Sequence, residues 1–452
     1  MRYRWSTFQT QISLDSGNLL LKSTLTDAVV SLTPLIKAEI DALVSGDREM
    51  SDELSSVVRD LVDPAVALLI LDDSDEFSAW RSRLTYRRDD EAHIFILHFL
   101  PTIQCQLECD YCFENGADRG KGMEHSMVGL SRVWLDEYFA AHPEINTFRL
   151  VIFGGEPLLR KDIVRNGLEA YHALAREHNL EFWCELTSNG ELLDEQTAAV
   201  LASHNWRRVQ ITLDGPEDLH DRRRHGRHQR PTFQNIMRNV DMLLATDYIN
   251  HIDIRISLDS ETADRVPELI HYLAARDAKK RINLNLGMVT ATFQTQSLVR
   301  IGNASTSLDQ FVGEERIAEK ALVAWAVAKE CGYKTPEEYI TGPWCVAIAK
   351  HSAILQPDGT LQKCFCTAGR PEYNFGTITE HFDDYLKDER YEHFRRTDQC
   401  IEESCQFLPL CGGGCIHDAV VSHGGAEGFT ERFCQKTLLQ RMNEGLLRLR
   451  YT

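Results

Sequence analysis

Three cysteine thiols occur within eight residues of the chain, at Cys105, Cys109 and Cys112. Because three residues and then two separate them, they do not share one helix face, and the segment is expected to loop around a central group. Three thiolates leave a tetrahedral or cubane metal site one ligand short, and an open position distinguishes catalytic metal sites from closed structural ones. We therefore expect a catalytic metal centre here, with a zinc site completed by His98 or His125 as the alternative.

The other cysteines are also clustered. The chain has 13 cysteines, and grouped thiols in a reducing compartment more often bind metals or act in catalysis than form disulfides. Cys184 lies in a strand-like segment and is expected to be a small core residue. A second group comprises Cys345, Cys364 and Cys366, a third comprises Cys400, Cys405, Cys411, Cys415 and Cys434, and Cys331 is isolated.

The overall composition limits the classes of function. At 452 residues the chain has room for about three domains. Its net charge of −19 argues against a nucleic-acid or membrane-surface binder, since such proteins need clustered Lys and Arg, and the basic run at 222–227 is expected to be a solvated face. No stretch has the length of a membrane span, and the N-terminus lacks a signal-peptide core. We expect a cytoplasmic protein with no nucleic-acid or membrane partner.

Residues 93–290 alternate between strand-like and helix-like segments, which indicates parallel βα units. Since such connections are right-handed, six successive units are expected to curl into a partial (β/α)6 TIM-like barrel of the α/β class. The predicted strands are 94–100, 148–153, 181–187, 208–213, 252–258 and 282–288. The predicted helices are 127–141, 163–177, 195–204, 233–245 and 264–275.

The loops that follow these strands carry the unusual residues. The first strand is followed by the cysteine loop, the second by the Gly154-Gly155-Glu156-Pro157 segment, the third by 187–190 and the fourth by 214–216. The C-terminal ends of parallel strands meet at one rim, where the sites of such barrels lie. We expect these loops to form one site.

The combination of Cys-x3-Cys-x2-Cys after the first strand, an aromatic at Tyr111, and Gly-Gly-Glu-Pro after the second strand resembles the radical S-adenosylmethionine (radical SAM) enzymes. The resemblance implies that the three cysteines hold a 4Fe-4S cluster whose open iron chelates the methionine part of S-adenosyl-L-methionine. One electron from the cluster then cleaves the cofactor to a 5'-deoxyadenosyl radical.

The resemblance also implies a set of cofactor contacts. Gly154, Gly155 and Glu156 would bind the cofactor's amino group, Pro157 would stiffen the turn, and Arg224 would pair with the carboxylate. Further contacts to ribose and carboxylate would come from strand-end residues, which more often cap the next helix. These residues are Ser188, Asn189, Thr212, Asp214 and Ser257.

The cysteine-rich tail resembles the SPASM extension of radical SAM peptide maturases, which usually holds two auxiliary 4Fe-4S clusters. The first would be held by Cys345, Cys364 and Cys415, with Cys366, Cys331, a substrate group or nothing as the fourth ligand. The second would be held by Cys400, Cys405, Cys411 and Cys434. A zinc-ribbon fold is the alternative for this tail, because cysteine spacing alone does not name the metal.

One residue separates the chain from the related sulfatase-maturating enzymes. They carry an aspartate directly after the cysteine equivalent to Cys364, and here that residue is Phe365. This difference favours a maturase of a ribosomally made peptide (a RiPP). The N-terminal unit, with a hairpin-like pair at 3–10 and 18–22 and an acidic surface turn at 72–76, is then a possible winged-helix-like recognition domain that adds a leader peptide as a strand. The alternative is a structural cap.

We therefore predict four regions: an α+β unit at 1–92, a radical SAM core at 93–290, a helical connector at 291–343 and a SPASM domain at 344–452. The predicted function is an oxidoreductase that abstracts hydrogen from a precursor peptide and forms a cross-link or another oxidised residue. The alternatives are an activator of a partner sulfatase- or dehydrogenase-type enzyme and a non-catalytic iron-sulfur scaffold. The expected partners are the peptide or protein substrate and an electron donor such as flavodoxin or ferredoxin.

Overall fold

The computed structural model describes residues 2–114, 117, 120, 122–289, 314–340, 345–381, 386–391, 395–423 and 427–451. The predicted connector at 291–343 therefore lies partly outside the described residues. None of the helices within these ranges is long and apolar enough to cross a membrane.

The N-terminal unit contains two small antiparallel sheets and three helices. Its strands are β1 (Tyr3–Trp5), β2 (Gln9–Ser13), β3 (Leu19–Ser23), β4 (Val29–Leu32) and β5 (Leu69–Leu71), and its helices are α1 (Pro34–Ser45), α2 (Asp52–Val62) and α3 (Glu76–Asp90). Strands β2, β3 and β4 form one sheet in that order, while β1 pairs with β5. Thr33 caps α1 by accepting the amide of Ile36, as expected for a threonine before a proline at the first helical position.

Two details of this unit differ from the prediction. The predicted strand at 3–10 is divided, and only β2 pairs with β3, because the buried carboxylate of Glu76 accepts the amide of Thr7 at 3.0 Å and the hydroxyl of Ser6. The acidic run at 72–76 is not a surface turn throughout, since Glu76 is buried and begins α3. The side chain that ends the acidic run thus organises the turn between β1 and β2.

The partial barrel of six parallel strands is confirmed. Its strands are β6 (Ile94–Phe99), β7 (Thr147–Ile152), β8 (Glu181–Ser188), β9 (Trp206–Leu213), β10 (Ile252–Leu258) and β11 (Ile282–Met288), which are neighbours in chain order. The helices between them are α4 (His125–Ala141), α5 (Lys161–Glu177), α6 (Glu195–Ala202), α7 (Glu217–Arg223), α8 (Phe233–Ala245) and α9 (Val266–Ala274). Phe95, Phe148 and Phe182 occupy one register row of the sheet and pack ring against ring, which fixes the pairing of β6 to β8.

The tail extends the same sheet to nine strands. Strand β12 (Ser352–Leu355) runs parallel to β6, and β13 (Thr360–Gln362) and β14 (Gly376–Thr377) follow in antiparallel order. The remaining α-helices of the described residues are α10 (Glu314–Glu330), α11 (Arg395–Glu402), α12 (Leu408–Cys411), α13 (Ile416–His423) and α14 (Lys436–Tyr451). Since β12 covers the edge of β6, the tail is a structural part of the barrel.

The N-terminal unit packs on the tail. Phe8, Trp80 and Leu84 form an apolar cluster with Cys400 and Leu408. The buried lysine Lys22 pairs with Asp27 of its own unit at 2.5 Å and with Glu338, which precedes the tail, at 3.4 Å. The hydroxyl of Thr24 donates to the carbonyl oxygen of Gln406 in the tail. These contacts hold the first residues of the chain against its cysteine-rich end.

Candidate active site

A cavity of about 450 Å³ lies at the C-terminal ends of the barrel strands. Its walls come from the cysteine loop, the ends of β7 to β11, and the tail. The lining residues used below are Cys105, Cys109, Cys112, Phe113, Phe153, Gly154, Gly155, Ser188, Asn189, Thr212, Arg224, Arg255, Ser257, Phe365, Cys366, Cys415, His417 and Asp418. The predicted rim of the barrel is therefore a single, partly open cavity that the tail also lines.

The loop after β7 holds the cysteine loop in place through backbone contacts. Gly155 N donates to Thr102 O at 3.2 Å, and Glu156 N donates to Gln104 O at 2.8 Å. A Cβ atom on Gly154 would lie 2.2 Å from Thr102 O, and one on Gly155 would lie 2.3 Å from the carbonyl oxygen of residue 103. Both positions thus require glycine, because the two loops approach too closely for a side chain.

The carboxylate of Glu156 is fully buried beneath this loop. Ser188 Oγ donates to both of its oxygens at 3.0 Å, and the amides of Asn189 and Leu158 donate at 2.8 and 2.9 Å. Burial nevertheless raises the pKa of Glu156 to about 7. In this structure Glu156 ties the end of β7 to the end of β8.

The three cysteines of the cysteine loop line the cavity and are each partly exposed. Cys105 Sγ accepts the amide of Leu107 at 3.4 Å and the side-chain amide of Asn189 at 3.7 Å. Burial raises the pKa of both Cys105 and Cys112 to about 12 and also raises that of Cys109. Thiols in such surroundings ionise when a bound cation compensates the thiolate charge.

A buried polar group lies beside the cysteine loop. The hydroxyl of Tyr111 donates to Asp214 and accepts from Arg224, while the guanidinium of Arg223 lies 4.9 Å above the ring of Tyr111. Arg223 also pairs with Asp259 at 2.5 Å. The expectation of a solvated face at 222–227 is therefore wrong for Arg223 and Arg224, because these side chains point inward and support the loop.

The opposite wall of the cavity comes from the tail. Phe365 packs against Phe153 and Phe113, with ring centroids 5.4 and 6.3 Å apart. Cys366 and Cys415 follow on the same wall, next to His417 and Asp418. Ligand atoms of Cys415, His417 and Asp418 lie within 4.8 Å of one another. Thiols from the core and thiols from the tail therefore face one cavity.

The cysteines predicted to hold the first auxiliary cluster lie close together. Cys345, Cys364 and Cys366 share an apolar cluster, and electrostatic interactions link Cys415 to Cys364 and Cys345. Cys366 donates a hydrogen bond to Cys364, which lowers the pKa of Cys364 to about 7. Cys331 lies elsewhere, with its Sγ 3.4 Å from His271 Nδ1.

A tight turn positions part of the cysteines predicted to hold the second auxiliary cluster. Gly412, Gly413 and Gly414 all have left-handed backbone angles, and a Cβ atom on Gly414 would lie 2.1 Å from Phe433 O. This close approach places the 411–415 turn against the segment of Cys434. Cys400 interacts electrostatically with Cys405 and Cys434. The buried guanidinium of Arg396 lies between the two predicted cluster sites, since it interacts with Cys345 and Cys415 on one side and with Cys411 on the other.

The family model of the radical SAM superfamily matches residues 99–273, which include the cysteine loop and the strand ends described above. Residues 99–273 are a radical SAM domain. The chain thus contains a radical SAM domain, and S-adenosylmethionine and a 4Fe-4S cluster are the cofactors of that superfamily. The sequence-based recognition of the family is confirmed.

Similar proteins extend this likeness over most of the chain. A serine-type anaerobic sulfatase-maturating enzyme of Bacteroides thetaiotaomicron is 23% identical over 357 residues, which cover 69% of this chain and 80% of that protein. The solved structure of native anSMEcpe with bound AdoMet has a TM-score of 0.57 at 18% identity and covers 78% of this chain and 98% of its own. Streptococcus suis SuiB bound to S-adenosylmethionine has a TM-score of 0.51 at 14% identity and covers 96% of this chain and 98% of its own.

The residues of the radical SAM domain fit both cofactors. Three partly exposed cysteines face the cavity, which suits a cluster with one open iron. Arg224 also faces the cavity, and its buried Nε has no hydrogen-bond partner among the described residues. A buried guanidinium nitrogen of this kind suits the carboxylate of a bound amino acid moiety.

The structure divides the predicted cofactor residues into two groups. Seven line the cavity of the radical SAM domain, namely Gly154, Gly155, Ser188, Asn189, Thr212, Arg224 and Ser257. Glu156, Pro157 and Asp214 are buried behind this lining. Whether these residues touch the cofactor stays a prediction, but the second group supports the loops that form the cavity.

Sequence reasoning missed one cationic residue of the radical SAM domain. Arg255 on β10 lines the cavity and donates to Asn285 Oδ1 at 3.1 Å. A Cβ atom on Gly287 of the neighbouring strand would lie 1.7 Å from the guanidinium carbon of Arg255. A glycine inside a predicted strand marks such a close approach and is the signal that identifies this position.

The zinc alternative for the cysteine loop depended on His98 or His125. Neither lines the cavity of the radical SAM domain within the described residues. His125 lies on the surface, where it contacts Asp162 at 3.1 Å, and His98 stacks on Phe365 with centroids 5.9 Å apart. The histidines are thus placed for other contacts.

Proposed function

We propose that this radical SAM enzyme modifies a ribosomally made peptide, which enters the cavity between the barrel and the tail. The observation that carries the proposal is that one cavity is lined both by the cysteine loop and by Cys366 and Cys415 of the tail. A side chain held there faces the site of hydrogen abstraction on one side and an electron acceptor on the other.

The ligand assignments are part of this proposal. Cys105, Cys109 and Cys112 hold the cluster that binds S-adenosylmethionine. The first auxiliary cluster takes Cys345, Cys364, Cys366 and Cys415, since Cys366 is beside Cys364 while Cys331 is beside His271. The second takes Cys400, Cys405, Cys411 and Cys434. Asn189 donates to the sulfur of Cys105 and so orients that ligand.

The proposed reaction removes two hydrogens from the peptide. When bound, the first cluster and S-adenosylmethionine supply a carbon radical that takes one hydrogen atom as 5'-deoxyadenosine. The peptide then forms a new intramolecular bond or a double bond, and it releases one proton and one electron. An auxiliary cluster held by Cys366 and its neighbouring cysteines would accept the electron, and the product would be lighter by two hydrogens.

The chain's own residues position the cofactor and exclude water. Arg224 offers its buried Nε to the cofactor carboxylate, and Thr212 and Ser257 offer hydroxyl groups along the strand ends. The aromatic rings of Phe113, Phe153 and Phe365 close the side of the cavity that faces the tail. Such walls keep water from a reactive intermediate.

Phe365 also bears on the choice of substrate. A carboxylate at this position would be the proposed base of the related sulfatase maturases, and the phenyl ring offers no such group. The peptide is therefore expected to lose its proton to a different group. This residue is why a peptide maturase is proposed ahead of an activator of a sulfatase.

We further propose that the precursor peptide binds the N-terminal unit by strand addition. Strand β4 pairs only with β3 among the described residues and forms one edge of its sheet. The other edge strand, β2, packs on α14, where Ile12 and Leu447 share an apolar cluster. An extended leader segment fits beside β4, since main-chain hydrogen bonds supply affinity there.

A partner-enzyme activator is the second candidate function. It is favoured by the similarity to the serine-type sulfatase-maturating enzyme, which extends over 80% of that protein. Both candidates use the same core chemistry and differ in the substrate that enters the cavity.

The deciding experiment uses the reconstituted full-length chain under anaerobic conditions with S-adenosylmethionine and a reductant. Candidate precursor peptides encoded near the gene are compared with sulfatase-derived peptides, and the products are weighed by mass spectrometry. The proposal expects 5'-deoxyadenosine together with a precursor peptide lighter by two hydrogens. Turnover of the sulfatase peptide alone would support the second candidate, and no 5'-deoxyadenosine with either peptide would contradict both.

A further inference from the structure

A second group of metal-ligand side chains lies away from the cavity, between the end of α4 and the start of β12. His142 Nδ1 is 3.2 Å from Glu144 Oε1, and the same carboxylate oxygen is 3.4 Å from His351 Nε2. The ligand atoms of all three residues lie within 4.8 Å of one another. Both histidines are buried, whereas the side chain of Glu144 is 44% exposed.

The spacing of these atoms suits a tetrahedral zinc ion. Ligand bonds of about 2.0–2.1 Å at tetrahedral angles place neighbouring ligand atoms about 3.3 Å apart. The two measured separations, 3.2 and 3.4 Å, bracket this value. Two imidazoles and one carboxylate are a donor set that zinc commonly takes, and the exposed side of Glu144 leaves a fourth position for water.

The two imidazole rings are held in place by their surroundings. Tyr138 Oη lies 2.7 Å from His351 Nδ1 and so fixes the ring with its Nε2 towards Glu144. The ring of His142 packs on Tyr138 and His351, with centroids 4.3 and 5.0 Å apart. A hydrogen-bond partner on the far nitrogen is the usual support of a metal-binding histidine.

The backbone at both ends of the group is also fixed. His142 ends α4, where its amide donates to Tyr138 O at 3.1 Å. The carbonyl oxygen of His351 accepts the amide of Ile96 at 2.9 Å, directly before β12 joins β6. The ligands are therefore positioned before an ion arrives, one pair from the barrel and one residue from the tail.

We propose that His142, Glu144 and His351 form a zinc site that fastens the tail to helix α4 of the barrel. The site is separate from the iron-sulfur cysteines and does not depend on the proposed peptide chemistry. Zinc binding adds to the stability of the folded chain, because the unfolded chain does not hold the three ligands together.

The test uses the full-length chain after its clusters have been reconstituted, so that the cluster cysteines are occupied. The protein is incubated anaerobically with one equivalent of zinc chloride and desalted, and bound zinc and iron are measured together with the melting temperature. The wild type is expected to retain one more zinc ion than Glu144→Gln and His351→Gln, and zinc is expected to raise the melting temperature of the wild type alone. Loss of one ligand should weaken zinc binding at least about tenfold.

His178→Gln is the matched control, because His178 also contacts a carboxylate, Asp136 Oδ1 at 2.7 Å, but belongs to no three-ligand group among the described residues. It should retain zinc as the wild type does. Equal zinc retention by the wild type and Glu144→Gln would overturn the proposal, as would an absorption-edge spectrum that shows only sulfur ligands around the retained zinc. If His351→Gln does not fold, the Glu144→Gln variant still decides the result, because Glu144 is partly exposed. The iron content of Glu144→Gln in zinc-free buffer shows whether that variant is folded.

Discussion

The ring of Phe365 lies edge-on to the ring of Phe153, with the two centroids 5.4 Å apart. Phe153 follows strand β7 of the barrel, and Phe365 lies between two tail cysteines. This pair joins the barrel to the tail at the wall of the active-site cavity. Both residues therefore bear on how tightly the cavity encloses a substrate.

Truncation of Phe365 should separate cofactor cleavage from peptide modification. In Phe365→Ala the wall opens and water enters, so more 5'-deoxyadenosine should form per modified peptide than in the wild type. The ratio of the two products is measured by chromatography and mass spectrometry. Phe375→Ala, a change in the same tail outside the cavity lining, should keep the wild-type ratio. An unchanged ratio in Phe365→Ala would show that the Phe365 ring does not exclude water from the cavity.

Loss of the three loop cysteines should abolish the radical chemistry, while the tail should keep the iron of its auxiliary clusters. The triple variant Cys105→Ala, Cys109→Ala, Cys112→Ala should contain about four fewer iron atoms than the wild type, since one 4Fe-4S cluster is lost. It should form no 5'-deoxyadenosine. Iron analysis and product chromatography test both statements. Cys184→Ala, which removes a buried core thiol, is the control and should keep the iron content of the wild type. Peptide modification by the triple variant would favour a non-catalytic role for the cysteine loop.

Cys366 should be a ligand of the first auxiliary cluster. Cys366→Ala is expected to change the Mössbauer or electron paramagnetic resonance signature of that cluster and to slow peptide modification, while the cluster of the cysteine loop is retained. Cys331→Ala is the comparison, because Cys331 is the other candidate for this ligand and lies beside His271. If Cys331→Ala alters the auxiliary signature and Cys366→Ala does not, the assignment is reversed.

Arg224 should contribute to cofactor binding. Arg224→Gln removes the guanidinium that faces the cavity, and its affinity for S-adenosylmethionine should fall by about tenfold to a hundredfold, as a charged hydrogen bond of ~1.5–3 kcal/mol is lost. Equilibrium dialysis of the reconstituted protein measures the change. Arg222→Gln removes an exposed neighbour that pairs with Glu261, and it should bind as the wild type does. Equal affinity in all three proteins would contradict the carboxylate assignment.

The buried carboxylate of Glu156 should make stability fall as the pH rises. Burial raises its folded-state pKa to about 7, above the ordinary value of 4.5. The folded chain thus binds more protons than the unfolded chain between these values, and it loses stability as pH rises through that window. Glu156→Gln cannot ionise, so its melting temperature should vary less than that of the wild type between about pH 5 and pH 7.5. A parallel pH dependence in the two proteins would show that Glu156 is not responsible.

Strand β4 should become protected when a precursor peptide binds. Strand addition at this edge places new hydrogen bonds on the backbone of Val29–Leu32, so hydrogen–deuterium exchange there should slow in the presence of the peptide. The separate pair β1 and β5 serves as an internal control and should exchange as before. Protection that appears only at the active-site cavity would place recognition there.

The sequence predicted the barrel well because its signals are local. The six strand segments are bounded by turn residues, and Ile252–Leu258 and Ile282–Met288 match the observed β10 and β11 to the residue. The strand-end loops then had to meet at one rim, since parallel strands place them there. This topology explains why residues far apart in the chain, such as Cys105 and Ser257, line one cavity.

Other features depend on contacts that a local pattern does not contain. The basic run at 222–227 suggested a solvated face, but Asp214, Asp259 and Tyr111 come from distant segments and draw two of its arginines inward. The pairing of β12 with β6 was also not predicted, because a short apolar segment does not show which edge it will cover. The sequence pattern therefore did not predict which charged side chains are buried by partners from other segments.

The pairing of β12 with β6 has a consequence for synthesis of the chain. Strand β6 is the first strand of the barrel to leave the ribosome, yet its outer neighbour is encoded after all the other barrel strands. Until Ser352–Leu355 emerges, the edge of β6 is uncovered, and uncovered edges invite pairing with other chains. The radical SAM domain is therefore expected to complete its fold only after the tail has been synthesised.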